Sequence, residues 1–516
     1  MKSICKSLIA LSALALVSTT AHAQTVVHLS GSTAYRSAVY NALAHILTNP
    51  VAVYSGSSLA GANIATFQGT IGSTTYEVRC HFTGSVTGIA GLTVPASNQY
   101  SFLHYAGGSA VIPGGQSNFF SPYGLVPGAG GGASTTAATF TEQTDAGFSD
   151  AFQATAALVP GASSTVNAAT LTDLGPVGIL PFAFLKSAAQ TGDGDYAAYQ
   201  DIKDITGLAA QTLYGTVGGV SAQLLTGNVA DSQAFVYPVG RDVDSGTRIA
   251  AFAETGFGVG TPSVQYSVNT SGGAAAGPDA SVASLTTFAN ANFPTLGQGY
   301  ASGGNVATAL ENSGWDNSNL PNFAYGYGIA YLGAADTDTA ITAGFQITAN
   351  VTGGSATYTA AGTTGSNVAE TIAAGDNVYI VSTTAASQAI PTTAYTTVSS
   401  FNSSTKLVTL ATALPAGTYN VLVDTLPASY VRPQFLTFNG VTLNQTNVND
   451  GKYQFWEYEH FFIAGSTPNA LESSLLSQLV STDAKVAGYT LSSMTTGTAP
   501  NTLTASKSAE GKPIHF

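Results

Sequence analysis

The stretch from Arg241 to Arg248 constrains the fold more than any other part of the sequence. It follows a short apolar run at 234–237 and opens a segment whose apolar residues recur with helical spacing, so it predicts a strand, a turn and a helix start. A helix start leaves backbone N–H groups unpaired and carries partial positive charge, so it can hold an anion. Arg241 can direct two N–H groups onto an oxyanion, Ser245 can cap the helix or donate its hydroxyl, and Gly246 lets a ligand approach the backbone. A capped helix beside a solvated arginine remains the alternative interpretation.

Two further units of the same kind are predicted nearer the N-terminus. Residues 26–29 form a strand and 30–34 a turn, after which apolar residues recur at helical spacing up to Leu47. Ser32 or Thr33 is the expected N-cap of that helix. A third strand is predicted at Tyr76–Phe82, and it runs into a turn of glycine, serine and threonine.

Two long apolar segments suit buried strands. Residues 177–185 form an apolar run that is broken only by Pro181 and suits a strand connecting two lobes. Residues 453–463 are rich in aromatic side chains, for which core packing is favoured over stacking against a sugar. Residues 278–291 are predicted as a helix. The polar C-terminus, 507–516, is predicted to be loose.

Charge and cysteine content exclude several classes of protein. Only 8% of the 516 residues are charged and the formal net charge is −13, so no basic surface suited to nucleic acid is indicated. Residues 1–23 combine two lysines, a short apolar core and the small-residue sequence Ala21-His22-Ala23, which predicts a cleaved export signal. The mature chain then keeps Cys80 alone and forms no internal disulfide.

A change in composition near residue 340 predicts a separate β-rich region. From 341 to 423 charges are almost absent and β-forming residues alternate with Thr, Ser and Gly, which favours an inserted all-β module. Its strands are expected at 377–381, 396–398, 407–410 and 419–423. Beyond it, 435–438 predicts a strand that ends in a tight turn at Asn439-Gly440.

Several separated turns together resemble those of the phosphate-binding proteins of ABC transporters. In chain order the resembling segments are Gly31-Ser32-Thr33-Ala34, Gly84-Ser85, Gly147-Phe148-Ser149-Asp150 and Arg241-x3-Ser245-Gly246-Thr247. Phe438-Asn439-Gly440-Val441 and the segment from Asn447 to Tyr453 also resemble a sequence that precedes the return strand of that family. Their order along the chain agrees with that of the family.

The resemblance implies an α/β class and a two-lobed type II periplasmic binding protein fold, here with an inserted all-β module. Lobe one would comprise 24–178 completed by 455–516, lobe two 179–339 completed by 424–454, and the module 340–423. Residues 177–185 and 453–463 would be the strands that cross between the lobes. The implied phosphate ligands are Ser32, Thr33, Ala34, Ser85, Asp150, Arg241, Ser245, Gly246 and Thr247.

The implied function is capture of phosphate or a related oxyanion outside the cytoplasm, in the periplasm or beyond it, without a metal, a cofactor or catalysis. A membrane permease of the ABC type would be the partner. Asp150 makes chemical sense beside an anion that carries a proton, as hydrogen phosphate does, whereas sulfate has none to donate at neutral pH. A surface protein that keeps the fold without a ligand is the second hypothesis. A hydrolase is the third, with no nucleophile–base set or metal cluster in its favour.

Overall fold

The computed structural model describes residues 24–55, 59, 62–93, 100–103, 139–159, 171–270, 281–288, 299–313, 315, 326–360, 372–382, 393–481 and 505–515. Over these residues the protein is a mixed α/β fold. The predicted export signal lies outside them. No helix of the described residues is long and apolar enough to cross a membrane.

The strands, in chain order, are β1 Thr25–Gly31, β2 Thr48–Tyr54, β3 Ile64–Ile71, β4 Thr74–Phe82, β5 Tyr100–Leu103, β6 Thr139–Glu142, β7 Ala146–Ser149, β8 Thr172–Lys186, β9 Ala189–Gln190, β10 Asp204–Ile205, β11 Val220–Ser221, β12 Phe235–Val239, β13 Tyr266–Thr270, β14 Val282–Thr287, β15 Gly326–Gly333, β16 Phe345–Thr352, β17 Thr357–Thr359, β18 Asn377–Ser382, β19 Thr396–Asn402, β20 Leu407–Leu410, β21 Thr418–Asp424, β22 Tyr430–Val431, β23 Gln434–Phe435, β24 Thr437–Phe438 and β25 Trp456–Ile463. The helices are α1 Arg36–Ile46, α2 Ser85–Thr93, α3 Gln153–Ala156, α4 Tyr196–Asp201, α5 Gly207–Gly215, α6 Gln223–Thr226, α7 Gly246–Glu254, α8 Gly303–Glu311, α9 Ala334–Ile341, α10 Gln445–Asn449 and α11 Ala470–Ser481, with a 3₁₀ helix at Val229–Gln233.

One long sheet organises most of the chain. Its strand order is β11-β12-β15-β8-β25-β7-β1-β4-β3-β2, and β23 pairs with β8 beside this path. Strand β1 is parallel to β4 and β7, and β12 is parallel to β15. Strands β8 and β25 lie between these two parallel groups and pair with each other in antiparallel fashion. The two segments predicted as crossing strands are therefore neighbours at the centre of the sheet, although β25 begins at Trp456 and Tyr453 lies outside it.

Close backbone approach explains two glycines, one at the end of β1 and one in α2. A Cβ on Gly31 would lie 2.2 Å from the carbonyl oxygen of Phe148, and one on Gly88 in α2 would lie equally close to the same atom. The Phe148 ring stacks on Phe461 of β25 at 4.4 Å between ring centroids. Helix α2 thus packs directly on β7, which fixes the ends of β1, β4 and β7 close to one another.

A second sheet is built from residues 345–424. Its order is β16-β21-β18-β19-β20-β17, every pairing is antiparallel, and its buried residues form a hydrophobic cluster of their own. The four strands predicted in this region are confirmed as β18, β19, β20 and β21. The predicted turn is also confirmed, since Asn439 and Gly440 have φ of 52° and 76° and Phe438 and Val441 exchange two backbone hydrogen bonds of 3.0 Å.

Three predictions about local structure are wrong. The helix expected at 278–291 contains β14, because the β-branched residues of this segment pair with β13. Helix α1 begins at Arg36, with Tyr35 at the N-cap and no side-chain cap; Ser32 instead extends the pairing of β1, its N–H donating to the Phe148 carbonyl oxygen at 3.1 Å. Gly147–Ser149 is a strand and not a turn, because it pairs with both β1 and β25.

The predicted looseness of the C-terminus is also wrong. The ammonium of Lys507 is buried and donates to Glu254 Oε1 at 2.9 Å and to the backbone carbonyl oxygens of Gln454 and Trp456. Glu510 accepts hydrogen bonds from Phe152 N and Thr155 Oγ1. Polar composition does not predict mobility here, because these charges find buried partners.

Candidate functional site

The carboxyl ends of β1, β4 and β7 meet at one edge of the long sheet. Gly31, the last residue of β1, faces Phe82 on one side and Phe148 on the other. The segments that follow these strands are therefore neighbours. This is the edge at which open α/β sheets bind ligands.

The turn at Arg241–Ser245 lies against the same edge. The N–H of Val86 donates to the carbonyl oxygen of Asp244 at 3.1 Å. A Cβ placed on Gly246 would lie 1.5 Å from Asp150 Oδ1 and 2.5 Å from Ser85 Oγ. The structure thus brings Ser85, Asp150 and Gly246 together, although they are far apart in the sequence.

Asp150 is buried and, within the described residues, makes no side-chain hydrogen bond of ordinary length and angle. Its side chain is 1% exposed. Burial raises the pKa of Asp150 to about 6, while the nearby Ser85 hydroxyl and the Arg241 charge oppose the rise. The Ser149 hydroxyl fixes the bend that holds Asp150, since it accepts from Ala151 N and donates to Ala151 O.

Arg241 carries a positive charge that acts on Asp150, and backbone carbonyl groups hold its side chain in place. Its Nε and Nη2 donate to the carbonyl oxygens of Tyr300 and Ala301, each at 3.1 Å. Its own carbonyl oxygen accepts from Arg248 Nη1 and Gln265 Nε2. In the described part of the chain Nη1 of Arg241 has no hydrogen-bond partner, so a donor remains for an anion.

Helix α7 starts as the sequence predicts. Ser245 is its N-cap, and its side chain accepts from Arg248 N at 3.4 Å. The N–H groups of Gly246 and Thr247 make no hydrogen bond with any described residue, as is usual in the first turn of a helix. Ser245 and Thr247 are buried, while Thr33 and Ala34 are partly exposed. All nine predicted residues lie in the segments that surround this edge of the sheet.

Sequence analysis missed the carboxylate of Glu459 on β25. It is fully buried, neither of its oxygens has a partner among the described residues, and burial together with the charge of Asp150 raises its pKa well above the usual value. The only signal was an acidic residue inside an aromatic strand, which sequence analysis interpreted as core packing.

Charged groups near Arg241 were also missed. Burial lowers the pKa of Arg36, at the start of α1, and the nearby Arg241 charge lowers it further. Burial raises the pKa of Asp336, in the first turn of α9, while Arg241 and Arg36 oppose the rise. Burial raises the pKa of Asp242 to about 6. Across the described residues no group of three or more His, Cys, Asp or Glu side chains could hold a metal ion.

Comparisons with known proteins give distant similarities. No family model matches the chain, and no curated protein matches it. Among solved structures, the chain is similar to a putative phosphate ABC transporter substrate-binding protein from Clostridium perfringens with bound phosphate, at 11% identity over 90% of this chain and 96% of that one, with a TM-score of 0.36. It is also similar to an ABC-type phosphate transport receptor from Vibrio cholerae, at 9% identity over 89% and 96%, with a TM-score of 0.33.

Proposed function

We propose that this chain is a binding protein for a tetrahedral oxyanion that carries a proton, with hydrogen phosphate as the first candidate. The observation that carries the proposal is Asp150, a buried carboxyl group without a partner, next to Ser85 and the start of α7. A buried polar group that lacks a hydrogen bond is costly to stability. A ligand that donates a proton to Asp150 removes that cost.

The other groups around Asp150 suit the remaining oxygens of such a ligand. Arg241 supplies positive charge and one free donor, and the first turn of α7 supplies the N–H groups of Gly246 and Thr247. The hydroxyls of Ser32 and Ser85 act on the carboxyl group of Asp150 and can reorient toward a ligand. A dianion needs many donors when it leaves water, and this edge of the sheet offers them.

The topology supports a two-lobed interpretation of the fold. We assign β8 and β25 as the connection between a lobe built on β1, β4 and β7 and a lobe built on β12 and β15, with 340–423 as an inserted module. The ligand would lie between the lobes. The chain would act after export, without catalysis, and would pass its ligand to an ABC-type permease or hold it outside the cytoplasm.

Calorimetric titration tests the proposal. We expect ligand-stripped protein to bind phosphate and to ignore sulfate, because sulfate leaves Asp150 without a proton donor. Asp150→Asn should weaken phosphate binding by about 10- to 100-fold, the value of a hydrogen bond to a charged group, and should allow sulfate to bind. Asp450→Asn, which removes an exposed carboxylate, serves as the matched control.

The proposal is contradicted if folded protein releases no heat when it is titrated with phosphate or with arsenate. That result would favour a surface protein that keeps the fold without a ligand. If Asp150→Asn still bound phosphate and ignored sulfate, Asp150 would not be the group that accepts the hydrogen bond from the protonated oxygen of the ligand.

A further inference from the structure

Glu459 of β25 lies near Asp150, which directly follows β7. Strand β25 runs antiparallel to β7, with His460 opposite Ser149. Glu459 precedes His460 and Asp150 directly follows Ser149, so the two residues are neighbours at the end of β7, and the Asp150 charge acts on Glu459. The Ser32 hydroxyl lowers the pKa of both carboxyl groups, against the rise that burial causes.

These three side chains share a property that packing does not explain. Ser32, Asp150 and Glu459 are at most 1% exposed. In the described ranges none of their five side-chain oxygens makes a hydrogen bond of ordinary length and angle, although Ser32 is near enough to both carboxyl groups to act on their pKa values. Buried polar atoms in native proteins are nearly always paired. Five orphaned oxygens in one place indicate a site that is completed by a ligand.

Glu457, two residues earlier on the same strand, shows the contrast. It is equally buried, but its Oε1 lies 3.4 Å from the ammonium of Lys507. The two side chains lie on the same face of β25, because residues two apart in a strand project to the same side. Lys507 supplies a cation for Glu457, whereas Glu459 lies near the carboxyl group of Asp150, and no cation among the described residues acts on it.

The groups facing Glu459 come from three elements. Asp150 follows β7 and Ser32 follows β1, while the residue opposite Glu459 on β8 is Gly178, which has no side chain. Tyr35 covers Gly178 and donates its hydroxyl hydrogen to Val177 O. Two neighbouring carboxyl groups that are both deeply buried cannot both ionise at low cost, so burial and the Asp150 charge favour the protonated form of Glu459.

We propose that Glu459 is a second ligand-contacting carboxyl group, which keeps its proton and donates it in a hydrogen bond to one oxygen of the oxyanion while Asp150 accepts the ligand's own proton. This inference rests on the oxyanion-binding function proposed above. It narrows the ligand class to tetrahedral anions that present one protonated and several bare oxygens, such as hydrogen phosphate, hydrogen arsenate or a phosphonate monoanion. Sulfate presents only bare oxygens and satisfies Glu459 alone.

The test compares phosphate titrations of wild-type protein, Glu459→Gln and the control Asp450→Asn from mildly acidic to mildly alkaline pH. Ionised Glu459 would repel the anion, so above its pKa the wild-type Kd should rise about tenfold for each pH unit, after correction for the protonation of phosphate itself. Gln keeps the shape and a donor but does not titrate, so this rise should disappear in Glu459→Gln and persist in the control.

A second measurement on wild-type protein keeps the test decisive if Glu459→Gln does not fold. Titrations in buffers of different ionisation enthalpy should show proton uptake on phosphate binding in the range where the Kd rises. Equal pH profiles in wild type and Glu459→Gln, or binding without proton uptake, would overturn the role of Glu459 while leaving oxyanion binding intact. Absence of phosphate binding by wild type at every pH would overturn both proposals.

Discussion

Replacing Gly246 with alanine is expected to reduce phosphate affinity by about 100-fold or more, while the protein stays folded. The added Cβ would lie 1.5 Å from Asp150 Oδ1 and 2.5 Å from Ser85 Oγ, so both side chains must move away from the start of α7. A displacement of binding groups by about 1 Å can reduce the affinity by about this factor. Gly246 has an ordinary helical backbone, and alanine favours helix, so α7 itself should persist.

Gly304 provides the matched control for this substitution. It lies in the first turn of α8, and the nearest atom to an added Cβ is Ser302 Oγ at 3.9 Å. Gly304→Ala should therefore bind phosphate as wild type does. Calorimetry measures the affinities, and thermal unfolding verifies that both variants are folded. Wild-type affinity in Gly246→Ala would mean that the ligand does not bind at this helix start.

Replacing Lys507 with methionine is expected to lower the free energy of unfolding by about 3–5 kcal/mol, the usual cost of removing one partner of a buried ion pair. The Lys507 side chain is fully buried, and its ammonium contacts Glu254 and Glu457, which are nearly as buried. Without the ammonium both carboxylates remain in the protein interior uncompensated. Lys512→Met, which removes an exposed ammonium five residues later, should change the stability little.

The loss in Lys507→Met should also depend on pH. Burial raises the pKa of Glu457 well above its usual value, and Lys507 opposes that rise. Removing Lys507 raises the folded-state pKa further, so the destabilisation is greatest where the unfolded chain is ionised and diminishes as the pH falls and Glu457 takes up a proton. Urea unfolding at neutral and mildly acidic pH measures both effects. Equal stability of wild type and Lys507→Met at neutral pH would show that the C-terminal residues 505–515 do not contribute to the core.

The sequence predicts those parts of the fold and the site that depend on neighbouring residues. The start of α7 at Ser245, the turn at Asn439-Gly440 and the strands of the second sheet each follow from local patterns of capping, turn and β-forming residues. The helix predicted at 278–291 fails because pairing with β13, a tertiary contact, outweighs local preference.

Contacts between distant segments could not be predicted in the same way. Glu459 comes near Asp150 only because β25 pairs with β7. Lys507 contacts Glu254 only because the C-terminal residues 505–515 pack against α7. From the sequence alone, Glu459 is one acid in an aromatic strand and Lys507 is one charge in a polar terminus. The sequence motifs identify the segments of the site, whereas the chain topology decides which further residues join them.

The position of β25 has a consequence for the order in which the chain can fold. Strand β7 and strand β8 are made early, yet each finds its shared neighbour only when residues 456–463 arrive. Until then the long sheet lacks its central strand, and its two parallel groups have no direct pairing with each other. Because non-local pairing of this kind is slow, the long sheet can be completed only after residues 456–463 have been synthesised and have found both neighbours.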